Sequence, residues 1–512
     1  MNCADSSQNR WQWLQTWCGA WTHQAWHLDL RSLAVFRIGL ALLVLCDLAL
    51  RARDLSDHYS DAGVLPRAAL DWFGPLSVHL LGGSAAFQAG LFVLEAGFAV
   101  MLLIGWQTQL AVSVSWFLLL SLQRRNPYVL NGGDCLFVLL FFWAQFLPLG
   151  ACWSLDARRQ VCPTAPSPAL ASLATAALIL QICFVYWFTA ALKTDPAWRS
   201  EGTAVYYALR IEQMVQPLGH WLTQFPMLLW LATFAAFWLE AAGPLLLFSP
   251  WKSGPLRTAA ITLFILFHLS LGLCMRLGMF PAICLVAWLA LLPTWFWDRC
   301  AGRFAMASPD GWSPAAALLR CKSAGAGVAD QPAARRDSSS PLKKTALVCC
   351  LVYVLLWNVR TLNPEKVRRF FPVQINGPGL TLGLGQYWAM FAPFPLRDDG
   401  WYVIRGTLQD GREVDLWRNG ASVSWEKPAN VSQDYRNARW QKFMMRLYET
   451  RARQGGLPFA RFLARRWQAS HPGESGVERV EIFFMVARTL PDGASELPVQ
   501  QILRVYNGAE LD

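Results

Sequence analysis

The pattern of hydrophobic and polar positions divides the chain into a long apolar part and a shorter polar part. A helix crosses a bilayer with about 17–25 apolar residues, and nine stretches come near this length. They lie at residues 32–50, 86–104, 108–122, 134–150, 169–190, 227–248, 257–275, 279–297 and 345–360. The pattern predicts a membrane all-α fold, a polytopic bundle of about nine transmembrane helices, of which the third and fourth are short.

The polar part follows the ninth stretch and has a different period. Residues 401–417 alternate around an Asp-Gly pair at residues 410–411, which is typical of a β-hairpin. Two segments with helical spacing follow, at 433–453 and 457–468. Two further alternating segments come after them, at 480–489 and 499–506. We therefore expect a β-rich α+β domain after the last transmembrane helix.

The distribution of positive charge predicts the topology. With the N-terminus inside, the inner loops hold 14 Lys and Arg, counting Arg257 at the edge of the seventh stretch, and the outer loops hold 9. Residues 298–344 carry eight of them, so the positive-inside rule keeps this segment cytoplasmic. The predicted divisions are a cytoplasmic tail at 1–31, a transmembrane domain at 32–297, a basic flexible linker at 298–344, a last helix at 345–360 and an extracytoplasmic domain at 361–512.

Composition supports a cell-membrane, multi-pass protein and excludes soluble, disordered and fibrous classes. Hydrophobic residues make up 54% of the 512 residues and charged residues 15%, against roughly 25% charged residues in soluble chains. The 27 Trp are typical of a chain that meets two membrane–water interfaces. We assign the net charge of +11 to loops that face anionic lipid, because no basic–aromatic motif of a nucleic-acid reader occurs. We expect the lipid bilayer as a partner and no nucleic acid.

The 13 Cys indicate neither a disulfide framework nor a zinc site. None follows Cys350, and no CxxC spacing occurs. We expect no metal.

Lys193 is the most informative single residue, because it ends an apolar stretch that begins near Ala169. One interpretation is an anchor whose ammonium reaches the interface. The other is a desolvated amine that acts as a base near neutral pH. Asp195, two residues further on, could instead pair with Lys193 and keep it charged.

Other polar residues also fall within the apolar stretches. Charged groups there are costly and tend to face the interior of the bundle, so we expect Arg37 to pair with either Glu95 or Glu240. His268 lies in an apolar run, where a hydrogen-bonded core residue and a catalytic residue are both open interpretations.

Several segments resemble known families. Residues 191–198 resemble the vitamin K-dependent γ-glutamyl carboxylase family, in which a Lys stands five residues before a Trp. The stretch from Phe267-His268 to Met279-Phe280 is similar to that family's matching stretch. Residues 37–66 resemble its bacterial relatives, the horizontally transferred transmembrane (HTTM) domain proteins. Residues 386–393, the Arg439-Trp440 helix and the closing strands resemble the carboxylase's lumenal domain.

The resemblance implies a chemistry. In the carboxylases, the Lys matching Lys193 deprotonates vitamin K hydroquinone, oxygen forms an epoxide, and carbon dioxide adds to a substrate Glu. The implied co-substrates are a reduced quinone (vitamin K hydroquinone or a menaquinol type), O2 and CO2, with a polypeptide as substrate. The implied catalytic residues are Lys193, His268 and Asp134, and the implied binding residues are Asn131, Asp195, Trp198, Met279 and Phe280.

One departure separates this chain from the animal carboxylases. They carry a catalytic His in the loop that matches residues 131–134, where this chain has Gly133 and no His nearby. Asp134 either replaces part of that role or caps the following helix. The alternative function is a non-carboxylating HTTM-domain membrane protein that acts in maturation, export or immunity of a partner polypeptide.

The C-terminal domain has its own expectation. Trp401, Tyr402 and Trp417 either grip an extended partner polypeptide, or they form the core of the domain or pack on the membrane face.

Overall fold

The computed structural model describes residues 25–70, 77–159, 169–306, 340–363, 375–490 and 496–511. Most of the predicted N-terminal tail and residues 307–339 of the predicted linker lie outside this set. The longer helices of the membrane part are α1 (Leu30–Ala52), α2 (Ala85–Ile104), α3 (Thr108–Arg125), α4 (Gly132–Ala144), α5 (Leu173–Leu192), α6 (Pro226–Ala242), α7 (Ser253–Cys274), α8 (Phe280–Leu289), α9 (Thr294–Met306) and α10 (Pro341–Leu362).

Six of these helices are long and apolar enough to cross a membrane, namely α1, α2, α5, α7, α10 and α6 with its 3-10 continuation to Phe248. The pair α8 and α9 is bent by 83° and adds a seventh if it is one span. Helix α3 ends in Gln123-Arg124-Arg125, and α4 has 13 residues, or about 20 Å at 1.5 Å per residue. The fold is thus a multi-pass helical membrane bundle, and the expected count of nine spans stays a prediction.

Shorter elements connect these helices. They are Leu55–Tyr59, Leu155–Arg159, Pro196–Arg199, Ala204–Ala208, Pro217–Leu222 and Asn376–Thr381, with a two-stranded antiparallel pair of His27–Asp29 and Ala169–Ala171.

Helix α4 lies at the centre of the bundle. Every residue from Leu136 to Ala144 is buried, as expected of a helix that is apolar on all sides. Its N-terminus is closed by a capping box, in which the Asn131 side chain accepts from the backbone N–H of Asp134 and the Asp134 carboxylate accepts from the N–H of Asn131. Asp134 thus supports the helix start from inside the first turn, while Asn131 is the cap.

The C-terminal domain contains the predicted hairpin, helices and strands. Its sheet has the antiparallel order β2-β1-β3-β4, formed by β1 (Asp398–Leu408), β2 (Glu413–Asp415), β3 (Val477–Arg488) and β4 (Val499–Asn507). The turn between β1 and β2 has Gly411 at φ 85°, which favours glycine. Helices α11 (Ala438–Glu449) and α12 (Gly456–Ser470) precede β3, and Gly508–Leu511 closes the chain.

The prediction that exposed aromatic residues grip a partner is wrong. Trp401 is 1% exposed and Trp417 is 8% exposed, and both belong to the hydrophobic core of the domain. Tyr402 is buried there too, and its hydroxyl donates to the Met444 carbonyl at 2.6 Å. The alternation in the sequence identified a two-sided strand without showing that α11 and α12 cover one side.

The expected pairing of Arg37 with a glutamate is also wrong. Arg37 donates to the backbone carbonyls of Leu102 and Trp153. Glu95 is fully buried, and neither of its oxygens has a hydrogen-bond partner among the described residues. Glu240 pairs with Lys193 instead. Two backbone carbonyls thus take the place of the expected carboxylate, and the spacing of residues in the sequence does not reveal such partners.

Candidate functional site

A cavity of about 1570 Å³ lies between the membrane helices and the C-terminal domain. Helices α5, α6 and α7 form its membrane side, and α11 forms its domain side. Apolar residues line most of the membrane side, among them Leu229, Ala236 and Leu266. This volume exceeds the 300–1,000 Å³ of ordinary small-molecule sites, so the cavity can hold a large ligand.

Lys193 and Glu240 form a buried ion pair on the cavity wall, which we call the Lys–Glu pair. The Lys193 Nζ lies 2.5 Å from the Glu240 Oε2, and both side chains are at most 5% exposed. Lys193 is the C-cap residue that directly follows α5, and Glu240 lies in the last turn of α6. The chain brings together two charges that stand 47 positions apart.

Trp198 completes the surroundings of this ammonium group. The Lys193 Nζ lies 3.9 Å from the centre of the Trp198 ring, a cation–π contact. The Trp198 indole N–H donates to the Phe391 carbonyl, which fixes the ring, and Arg199 donates to the Lys193 carbonyl. The Trp five residues after the Lys is therefore a direct partner of it.

Asp195 does not pair with Lys193 in the structure. Its carboxylate accepts from the backbone N–H of Ala197 at 2.9 Å and caps the short helix Pro196–Arg199. Of the alternatives that the sequence left open, the pairing of Asp195 with Lys193 is not formed, because Asp195 caps the next helix and Glu240 occupies the place beside the ammonium.

His268 lies on the same cavity wall, held by two aromatic residues. The Trp288 indole N–H donates to the Tyr186 hydroxyl, whose oxygen lies 2.7 Å from the His268 Nε2. An indole N–H can only donate, so the Tyr186 hydroxyl accepts from Trp288. The contact with Tyr186 fixes the orientation of the His268 ring, while the His268 Nδ1 has no hydrogen-bond partner among the described residues. The sequence identified His268 but missed Tyr186 and Trp288.

The loop before α4 presents an amide to the cavity. The Asn131 Oδ1 accepts from the backbone N–H groups of Gly133 and Asp134, so the amide nitrogen points away from the helix. Asn131 lines the cavity, and so does Phe280, whereas Met279 packs into the hydrophobic core. Of the predicted binding residues, the structure brings Asn131, Trp198 and Phe280 to the wall.

Asp134 lies away from the wall, in a closed ring of four charges that we call the ion ring, of which Asp47, Arg51 and Asp134 are buried and Arg439 is 14% exposed. Arg51 donates to Asp47 and Asp134 at 2.7 and 2.8 Å, and Arg439 donates to the same two carboxylates at 2.9 and 2.6 Å. Each of the four carboxylate oxygens thus accepts from one guanidinium. The two carboxylates outweigh burial, the largest opposing effect, and raise the pKa of Arg439.

The C-terminal domain builds part of the site. The side of α11 that faces the cavity carries the residues Ala438, Gln441, Lys442, Met445, Arg446 and Glu449. Burial lowers the pKa of Lys442, and Arg446 pairs with Glu449 at 2.6 Å. The domain side of the cavity is therefore polar and the membrane side apolar. The sequence does not reveal this face, because the spacing of its residues indicates only an amphipathic helix.

A metal site is not formed by the described residues. No group of three His, Cys, Asp or Glu side chains in the described ranges could hold a metal ion. The chemistry on the cavity wall is that of an amine, a carboxylate, an imidazole and an amide.

The comparisons with known proteins bear on the membrane part. The family model of the HTTM domain matches residues 26–295, slightly more than half of the chain. The chain belongs to the HTTM domain family. No curated protein and no solved structure matches it. The matched residues of this HTTM protein contain Lys193, Trp198, Glu240 and His268, whereas helix α11 lies outside them.

Proposed function

We propose that this HTTM protein is a membrane enzyme that binds a reduced quinone in the cavity and removes a hydroxyl proton from it at the Lys–Glu pair. The observation that carries the proposal is a buried amine–carboxylate pair on the wall of a large, mainly apolar cavity. Buried charged groups within a membrane bundle are costly, and they are typical of functional sites.

The route of entry fits a lipid-soluble substrate. Leu228, Leu263 and Leu266 line the cavity, and each is also about half exposed on the outer surface of α6 or α7. These helices thus border both the cavity and the bilayer. A reduced quinone of the vitamin K or menaquinol type has an apolar tail that suits this border and hydroxyl groups that suit the Lys–Glu pair.

The residues of this chain would bind and orient such a quinol. His268, whose ring is held by the Tyr186 hydroxyl, and the Asn131 amide supply polar contacts on the wall. The apolar surroundings exclude water and strengthen each electrostatic contact. In the carboxylase-like reaction, oxidation of the bound quinol by O2 would drive the addition of CO2 to a polypeptide.

The polypeptide would reach the cavity along α11. Lys442 and Arg446 on this helix line the cavity, and together with Glu449, which lies 3.8 and 2.6 Å from them, they carry a net positive charge. The buried Trp401 and Trp417 leave α11 as the better surface for this contact. The positive-inside count supports an extracytoplasmic position for the domain, and accordingly for this side of the cavity.

A second candidate function has its own supporting observation. Arg51 and Arg439 occupy both oxygens of Asp134, so Asp134 is not free to replace the missing His of the carboxylases. This favours a non-carboxylating HTTM protein that uses the cavity in maturation, export or immunity of a partner polypeptide.

The test begins with the quinones that copurify with the protein. Mass spectrometry should find a membrane quinone in stoichiometric amount, and addition of its reduced form with O2 should yield the epoxide. Lys193→Ala should lose this turnover while it still folds, and Lys252→Ala, which alters an exposed Lys away from the cavity, should keep it. Quinone binding without formation of the epoxide would favour the second candidate. Absence of any bound quinone would contradict the proposed quinol site.

A further inference from the structure

The two members of the Lys–Glu pair are not equivalent in their contacts. Lys193 has two partners that favour its charged form, the Glu240 carboxylate at 2.5 Å and the face of Trp198 at 3.9 Å. A cation–π contact stabilises a charged ammonium group but contributes little stabilisation to a neutral amine. Both contacts therefore hold the proton on Lys193.

Glu240 has spare acceptor capacity. Its Oε2 accepts from Lys193, whereas no hydrogen bond reaches its Oε1 within the described ranges. A carboxylate has about four acceptor positions on its two oxygens. Glu240 also lines the cavity, as do Tyr186 and His268. A hydroxyl group in the cavity can therefore donate to Glu240, while the charged Lys193 has no lone pair to offer.

We propose that Glu240 is the proton acceptor of this site and that Lys193 remains an ammonium group throughout. In this step the O–H bond of the ligand hydroxyl breaks, and its proton binds the Glu240 Oε1. The ligand keeps the electron pair of that bond as an oxyanion. The Lys193 ammonium, released from a full negative charge on Glu240, stabilises the new anion. The inference rests on the proposed quinol chemistry and assigns the base within it.

The assignment reverses the role that the carboxylase resemblance gives to Lys193. A neutral Lys193 would need to lose its proton before substrate binds, against both the carboxylate and the indole ring. A charged Lys193 beside Glu240 needs no such step. The two assignments make opposite statements about the resting enzyme, which can be measured without turnover.

The first experiment is spectroscopic and uses the full-length wild-type protein. Nitrogen NMR of 15N-lysine-labelled protein should show Lys193 as an ammonium, identified by the signal that Lys193→Met removes. Infrared difference spectra on anaerobic addition of a short-chain naphthohydroquinone should gain a protonated carboxylic-acid band that is missing in Glu240→Gln. A neutral Lys193 amine, or a Glu240 that is already protonated before addition, would overturn the assignment.

The second experiment compares variants. If Glu240 is the base, Glu240→Gln should lower kcat for quinol epoxidation by about 100-fold or more, and Lys193→Arg should stay within about tenfold of wild type because it keeps the charge and the ring contact. The inverse result, an inactive Lys193→Arg and an active Glu240→Gln, would make Lys193 the base. If wild type turns over no quinol, the proposed function fails, and the NMR signal of Lys193 still decides its resting charge.

Discussion

The Lys–Glu pair and the ion ring are both buried, yet their hydrogen bonding differs. In the ion ring, every carboxylate oxygen of Asp47 and Asp134 accepts from a guanidinium, and no member lines the cavity. In the pair, Glu240 keeps an oxygen without a hydrogen bond among the described residues, and both members line the cavity. A closed cluster stabilises the fold, whereas a cluster with a spare acceptor on a cavity wall can take part in chemistry.

The largest expected effect comes from opening the ion ring. Arg439→Leu removes two of the four bonds and leaves Asp47 and Asp134 short of a partner, which should lower the free energy of unfolding by about 3–5 kcal/mol. Thermal unfolding in detergent measures this loss. The matched control is Arg446→Leu, which breaks an exposed pair with Glu449 and should cost under about 1 kcal/mol. Equal losses would show that the ring is worth no more than a surface pair.

The Lys–Glu pair should respond differently to removal of one partner and of both. Lys193→Met leaves a buried carboxylate and should cost about 2–4 kcal/mol, whereas the double variant Lys193→Met, Glu240→Leu should recover most of that loss. The same unfolding measurement applies. In the ion ring, adding Asp134→Leu to Arg439→Leu should recover less of the loss, because Asp134 also closes the capping box of α4 and accepts from Arg51. Equal fractional recovery in the two clusters would remove the distinction between them.

Acid should weaken the contact between the membrane part and the C-terminal domain near the ion ring, where His58 packs against Trp440 of α11. Burial, together with the charges of Arg439, Arg51 and Arg436, lowers the pKa of His58 to about 3. The unfolded chain therefore binds a proton near pH 6.5 that the folded chain does not, and stability falls by about 2 kcal/mol from pH 7 to pH 5. His58→Phe, which keeps a ring against Trp440, should flatten this slope. An unchanged slope would mean that another group titrates.

The smallest expected effect has the opposite sign and concerns Asp399 at the start of β1. Burial raises the pKa of Asp399 to about 6, although the backbone N–H of Glu212 donates to its carboxylate. The folded chain therefore binds this proton before the unfolded chain does, and stability rises by about 1 kcal/mol from pH 7 to pH 5. Asp399→Asn should abolish the gain, seen as a steeper acid loss than in wild type. A shallower loss in this variant would contradict the sign.

Much of the fold could be predicted from local patterns. The Asp-Gly turn at 410–411 with alternation on both sides identified the hairpin, and a long apolar run identified α5 and its terminal Lys193. These signals are local, because a turn type and a helix end depend on a few neighbouring residues. The span count was harder to predict, since α4 is as apolar as a membrane helix but only 13 residues long.

The candidate site was predictable only in part. The sequence identifies Lys193 as a polar residue at the end of an apolar run, and His268 and Glu240 as polar residues within such runs. The pairing of Glu240 with Lys193 was not predicted, because a contact between residues 47 positions apart depends on how α5 and α6 pack. The cavity-facing side of α11 was missed for the same reason, since no pattern within a helix tells which surface it will cover.

The position of Arg439 has a consequence for how the protein is made. Arg439 follows Asp134 by 305 residues and Asp47 by 392, so a chain synthesised from its N-terminus exposes both acids long before their second guanidinium exists. During that interval Arg51 alone balances two carboxylates. The ring closes, and the cavity receives its α11 wall, only when the last part of the chain has been delivered to the membrane and has docked. A truncated nascent chain would thus carry an unbalanced buried charge, a feature by which quality control could distinguish it from the finished protein.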